Sequence, residues 1–195
     1  MKICLLGSSS QLIHALTVTD STLTFSCTCE TVRITTSGAP IMAVACYCNS
    51  CQTAGRQLLD DTGASVVNAD GGTDFVLVRK DRVNWSIDPA SLVEHRLSAE
   101  SPTRRVCAAC CGAPLFLEFQ NGHWLSLYAQ RLPASQRPAI QLRTMTRDAP
   151  NGVTFTDGVP SPKTHSLGFM ARLLWAWVAM GLRSPKVEVG GSISK

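Results

Sequence analysis

Nine cysteines in a chain of 195 residues constrain this sequence more than any other feature, because eight of them fall in three short clusters. These are Cys27-Thr28-Cys29, Cys46-Tyr47-Cys48-Asn49-Ser50-Cys51 and Cys107-Ala108-Ala109-Cys110-Cys111, with Cys4 left over. An odd count rich in Cys-x-Cys pairs is a poor disulfide framework. Buried cysteine as a small hydrophobe suits Cys4 and one of Cys110 and Cys111. It suits the Cys-x-Cys pairs badly, since in a strand both members would point to one face. Zinc fits better: it takes about four ligands in a tetrahedron, with thiolate sulfurs at ~2.3 Å, and each pair supplies half a site.

Cys27 and Cys29 can join two of Cys107, Cys110 and Cys111 to close one four-sulfur site, which would tie the start of the chain's β region to its middle. Arg104 and Arg105 lie just before the third cluster, where cations favour the thiolate form. Cys46, Cys48 and Cys51 then stand alone with three sulfurs. Three protein ligands and one open position mark a zinc that can take water or substrate. A thiol is the natural guest at such a position.

The rest of the sequence frames these clusters. A hydrophobic share of 45% against 16% charged residues reads as an ordered globular chain. The net charge of +4 is spread thinly, without a basic block, so no nucleic-acid partner is expected. The apolar run in Met1 to Gly7 is too short for a signal peptide, and a reducing, cytoplasmic setting is expected. From residue 21 to 147 short runs rich in Thr, Val and Leu alternate with turns, which predicts a mainly β domain. The runs Val83–Ile87 and Leu92–Leu97 look like a strand pair turning at Asp88-Pro89. Pro114–Phe119 and Trp124–Tyr128 look like a hairpin around Asn121-Gly122. A short helix is expected after the second cluster, within Ser50 to Asp60. Residues 1–20 read as an extension, 148–165 as a loop or linker and 185–195 as a flexible tail.

Residues 166–184 have a different texture. Leu167, Met170, Leu174 and Trp177 recur at helical spacing, and Phe169, Leu173, Ala176 and Met180 form a neighbouring stripe. A helix of this length spans roughly 24 Å, short of the ~30 Å hydrocarbon core of a bilayer. No transmembrane segment is expected. The helix should pack on the domain or on a partner, a second copy of the chain included. His95 and His123 are expected to be exposed or satisfied by hydrogen bonds rather than to bind metal. Asp70 and Asp74, around a double glycine, are expected to cap a turn.

The order Cys-x-Cys, Cys-x-Cys-x-x-Cys, then a third cluster running into Gly112-Ala113-Pro114-Leu115-Phe116, resembles the glutathione-dependent formaldehyde-activating enzyme family, which includes centromere protein V. The stretch Asn68 to Asp74, with the doubled Cys110-Cys111, is similar to a bacterial branch of it. The resemblance covers about residues 23–145. It implies an Mss4-like β-tent fold and two zinc ions. One would sit in a closed site of Cys27, Cys29 and two third-cluster cysteines, the other in an open site of Cys46, Cys48 and Cys51. The implied activity is carbon–sulfur lyase chemistry that joins glutathione to formaldehyde. Three departures stand out. Glu30 follows the first pair where the family usually has glycine. Ala108 occupies the position three before Cys111, so the knuckle is either Cys107 with Cys110, favoured by its two-residue gap, or Cys111 with one of them. The C-terminal apolar helix lies outside the usual core. The alternative to an enzyme is a non-catalytic, zinc-stabilised module that docks a partner through that helix.

Overall fold

A computed structural model of the chain describes residues 22–193. The expected extension at residues 1–20, with Cys4 and His14, lies outside them. Eleven strands form two sheets among the described residues, and the fold is mainly β. A three-stranded sheet contains β1 (Leu23–Ser26), β2 (Arg33–Thr36) and β5 (Val83–Asn84), in the order β1-β2-β5. The eight-stranded sheet is built on β3 (Met42–Cys46), β4 (Thr73–Arg79), β9 (Trp124–Tyr128), β8 (Pro114–Phe119), β7 (Thr103–Ala108) and β6 (Leu92–His95), side by side and antiparallel. Two short parallel strands close its edges, β10 (Leu142–Thr144) on β3 and β11 (Gly191–Ser192) on β6.

The large sheet is covered on both faces, and β4 shows how its sequence permits this. Val76 and Val78 enter a core shared with Phe25 and Ile34 of the small sheet and Val32 of the turn between β1 and β2. Phe75 and Leu77 point the other way, into a core with Tyr128, Phe169 and Leu173. The period-two alternation of a strand therefore serves two cores at once, and each fully buried Leu or Phe contributes roughly 1.5–3 kcal/mol. Between β7 and β8 the register jumps from Val106–Phe116 to Cys107–Pro114, skipping Leu115. This bulge lets Leu115 and Phe116 both enter the inter-sheet core.

The expected hairpin at Asp88-Pro89 is not one. β5 pairs with β2 in the small sheet, while β6 joins the large sheet beside β7. Asp88 caps a single 3-10 turn by accepting from the Ala90 N–H at 2.9 Å, and Pro89 starts that turn. The capped turn carries the chain from one sheet to the other. The hairpin at Asn121-Gly122 does form, with Asn121 left-handed at φ 61°.

Helix α1 (Asn49–Gln57) follows β3 directly, and helix α2 (Leu167–Val178) lies on the outer face of the large sheet. Of the two apolar stripes, the one formed by Phe169, Leu173, Ala176 and Met180 is buried, while Leu167, Met170 and Leu174 of the other are exposed, as is Trp175; Trp177, expected with that second stripe, is instead half-buried and stacks on His123. Ser166 caps α2 by accepting from the Phe169 N–H. The loop before α2 packs on the domain: the Arg143 N–H donates to the Pro160 carbonyl at 2.8 Å, and the Phe155 ring meets the Tyr47 ring edge-on.

The segment after α2, expected to be a flexible tail from 185, is built into the sheet as far as residue 193. Lys80 donates to the Pro185 carbonyl while paired with buried Glu118. Arg104, paired with the same carboxylate, donates to the Val187 carbonyl at 2.6 Å. Val187 enters the inter-sheet core, and β11 completes the sheet edge. Lys80, in the 3-10 turn after β4, and Arg104, on β7, thus capture carbonyls that a tail would otherwise leave to water. Arg79 does the same for the Ala179 carbonyl.

Candidate metal centres

Two groups of thiols come together among the described residues: Cys27, Cys29, Cys110 and Cys111, and Cys46, Cys48 and Cys51. The sulfurs of each lie within 4.8 Å of one another.

The four-sulfur group joins two turns. Cys27 and Cys29 sit in the β1–β2 turn, and Cys110 and Cys111 in the β7–β8 turn. Sulfur–sulfur distances are 3.5 Å for Cys27–Cys29, 3.8 Å for Cys27–Cys110, 3.2 Å for Cys29–Cys110 and 3.8 Å for Cys110–Cys111. A tetrahedron with ~2.3 Å bonds has edges of about 3.8 Å, so the cluster has the dimensions of a zinc site. The Val32 N–H donates to Cys27 Sγ at 3.2 Å, which offsets negative charge on that sulfur. The turn requires a left-handed residue after Cys29, and Glu30 fills that place at φ 60°, held by Arg33 at 2.8 Å. Gly112 supplies the matching conformation after Cys111.

The favoured knuckle of Cys107 with Cys110 does not form: the Cys110–Cys111 pair faces Cys27 and Cys29, and Cys107 belongs to neither group. The reason lies in the strand. Val106 and Ala108 point into the inter-sheet core, so alternation sends Cys107 to the opposite face, where its charge would act on Tyr128. Cys110 and Cys111 lie beyond the end of β7 and escape that alternation.

The three-sulfur group sits on that opposite face. Cys46 ends β3, Cys48 is the residue capping α1, and Cys51 lies in the first turn of α1. Cys48 Sγ accepts from the Cys51 N–H at 3.4 Å. A helix N-terminus favours negative charge, so Cys48 sits where a thiolate is most stable. Hydrogen bonds from the Cys46 and Cys51 thiols draw the Cys48 thiol down to about 2, with Arg105 assisting. The same bonding, aided by burial, pushes Cys46 up to about 12 and Cys51 well above its ordinary value.

Arg105 was visible in the sequence only as a cation before the third cluster. It lies on β7 two positions before Cys107, so the i, i+2 rule places both on the side of the three-sulfur group. Its guanidinium is fully buried, donating to Ser50 Oγ at 2.7 Å and to the Ser50 carbonyl at 3.1 Å. Its Nε has no hydrogen-bond partner among the described residues.

The three sulfurs open into a chamber of about 540 Å³. Its walls come from β3, β4, β7, β8, β9, β10 and α2, through residues such as Phe75, Leu117, Trp124, Thr144, Phe169 and Leu173. His165 stands exposed at the chamber, its Nδ1 2.9 Å from Thr144 Oγ1 and its ring stacked on Phe169. No local pattern could have placed His165, Thr144 or α2 at this site, because their approach to Cys46 closes over long stretches of chain. His123 is satisfied, as expected, through Nε2 to the Leu173 carbonyl at 2.7 Å. Asp70 caps its turn by accepting from the Gly72 N–H at 3.0 Å and holds the Tyr47 hydroxyl at 2.7 Å.

The two groups are bridged by α1. It starts at Cys48, and the loop after it reaches the four-sulfur group, where the Asp61 N–H donates to the Cys111 carbonyl at 3.0 Å. Asp60 accepts from the Thr28 hydroxyl at 2.9 Å. Burial works against the Asp60 charge, but hydrogen bonds from Thr62, Ala64 and Thr28 prevail and hold its carboxyl below the usual range.

The sequence model described as glutathione-dependent formaldehyde-activating enzyme matches residues 22–130. The chain belongs to that family. The match to the formaldehyde-activating family takes in all seven sulfurs and Arg105, and ends before His165 and α2. Among curated proteins, no relative matches the chain. No helix of the described residues is long and apolar enough to cross a membrane.

Proposed function

We propose that the protein holds two zinc ions, a structural one at Cys27, Cys29, Cys110 and Cys111 and a reactive one at Cys46, Cys48 and Cys51. On this reading it is a carbon–sulfur lyase acting on the adduct of a thiol, glutathione or another, with an aldehyde. The observation that carries the reading is the contrast in sulfur number: four sulfurs in one group, and three opening into a chamber in the other. When bound, zinc would supply Lewis acidity and hold a substrate sulfur as thiolate.

The chain's own residues supply the rest. In the synthetic direction the thiol loses its proton, a carbon–sulfur bond forms, the carbonyl π bond opens and its oxygen takes a proton. Arg105 offsets the negative charge gathered among the sulfurs, and Ser50 fixes its guanidinium. His165, oriented by Thr144, stands where a proton can pass between chamber and solvent. The buried stripe of α2 excludes water from one side, which strengthens charge interactions inside. A reducing compartment such as the cytoplasm keeps the thiolates available as ligands.

Exchange between free thiol and its hydroxymethyl adduct can be followed by NMR with ¹³C-formaldehyde and either glutathione or phenylmethanethiol. Zinc-loaded wild type accelerates exchange of at least one adduct, and Cys48→Ser does not. Equal rates with and without enzyme, for both thiols, would remove the catalytic claim. The rival reading, a non-catalytic module that binds a partner or a second copy, draws on the outward face of α2, where Leu167 is 90% and Trp175 73% exposed. It predicts inert metal and no acceleration.

A further inference from the structure

We infer that the chamber over Cys46, Cys48 and Cys51 selects a thiol with an apolar body, alkyl or aryl, over glutathione. This rests on the reading of the three-sulfur group as the reactive site.

The argument is one of chemical match. Glutathione carries two carboxylates and an ammonium at neutral pH. A site that grips such a molecule must pair those charges, because burying an unpaired charge is strongly unfavourable. Among the described residues no Asp or Glu lines this chamber, so they offer the ammonium no counter-charge there. Among the described residues Arg105 is the one permanently charged residue of the chamber's lining, and that guanidinium lies beside Ser50 and acts on Cys48, at the sulfur end. The remaining polar lining consists of neutral hydroxyls, the cysteines and His165. Away from the sulfurs the walls are aromatic and aliphatic, and Phe119 and Met170, both partly exposed, carry the apolar surface out to the rim. A volume of about 540 Å³ lies within the range of sites for small organic molecules and far exceeds the needs of formaldehyde.

The apolar wall is also an addition to the family's matched region. Phe169, Met170 and Leu173 come from α2, beyond residue 130 where the family match ends. They add an apolar side to the chamber that holds the three sulfurs. The Arg105 charge, acting on Cys48 at the sulfur end of the chamber, suits the single negative charge that an incoming thiolate brings. The matched ligand is thus a molecule with one anionic sulfur and an uncharged hydrocarbon body.

The test uses the zinc-loaded full chain and measures binding. Isothermal titration calorimetry, with Trp124 fluorescence as a second signal, compares phenylmethanethiol with glutathione. The expected result is at least about tenfold tighter binding of phenylmethanethiol. Met170→Glu, at the half-exposed rim, should weaken phenylmethanethiol about tenfold and leave zinc content and melting temperature unchanged. Equal or tighter binding of glutathione, no binding of either thiol, or a Met170→Glu variant with unaltered preference overturns the inference. Metal content of Cys48→Ser separates the two levels. If that variant keeps all its zinc, the reading of the site itself fails. If it loses zinc while wild type prefers glutathione, only the apolar selection fails.

Discussion

The two sulfur groups lie on opposite faces of one sheet and differ in what encloses them. The four-sulfur group is locked between two turns, next to the inter-sheet core that contains Cys27 and Cys111. Its four donors match a closed tetrahedron. The three-sulfur group lies on the face covered by α1 and α2, and the position a fourth donor would take opens into a chamber. Metal in the first group would join two distant turns and so contribute to folding. Metal in the second would be held by one short segment, from Cys46 to Cys51, and its loss would leave the sheets connected. The same chemistry thus serves stability where four sulfurs converge from separate turns, and reactivity where three come from one.

The sharpest way to break this contrast is to remove one sulfur from each part of the third cluster. Cys111→Ser should lower the melting temperature by more than about 10 °C, or abolish cooperative unfolding, because the metal-binding energy is part of the folding energy. Cys107→Ala should cost only about 1 kcal/mol and leave the zinc count unchanged. Calorimetry and metal analysis check both, and the reverse pattern would reinstate the Cys107–Cys110 knuckle.

The wall of the open site comes next. Leu173 is on the buried face of α2 and Leu174 faces outward. Leu173→Ala should cost about 2–5 kcal/mol by leaving a cavity, and Leu174→Ala no more than about 0.5 kcal/mol. Denaturant unfolding distinguishes them, and equal effects would mean that α2 does not pack as described.

Acidity sharpens the comparison from another side. In the metal-free three-sulfur group Cys46 and Cys51 keep their protons at neutral pH, since both thiols are pushed up. Zinc must displace those protons, so its affinity falls as pH falls and loading releases acid. Calorimetry in buffers of different ionisation enthalpy reads the proton count, and uptake without release would contradict the assignment.

The smallest effect concerns the turn beside the closed site. Glu30 is left-handed, which costs a residue with a side chain roughly 1–2 kcal/mol. Glu30→Gly should stabilise the chain by up to about 1 kcal/mol, reduced by the greater freedom of glycine when unfolded and by loss of the exposed Arg33 pair.

Much of this was legible in the sequence because cysteine spacing and strand alternation are local signals. The clusters, the β character, the Asn121-Gly122 hairpin and the helix after Cys48 all rest on a few neighbouring residues. The knuckle misled because a two-residue gap between Cys107 and Cys110 looks like a good turn, whereas Cys107 is still inside β7 and obeys its alternation. The Asp88-Pro89 turn read as a hairpin because turn chemistry says where a chain bends and not which sheet receives it. The tail after 185 read as flexible because its partners, Lys80 and Arg104, lie far away in sequence. The chamber was illegible for the same reason: its walls come from six strands and a helix outside the matched region.

The most direct test is a metal count by native mass spectrometry on reduced protein, for wild type and Cys48→Ser. Two zinc ions on the wild type are predicted, and one on the variant with an unchanged circular dichroism spectrum. A folded wild type without zinc, or the same count on both proteins, contradicts the division into a closed and an open site.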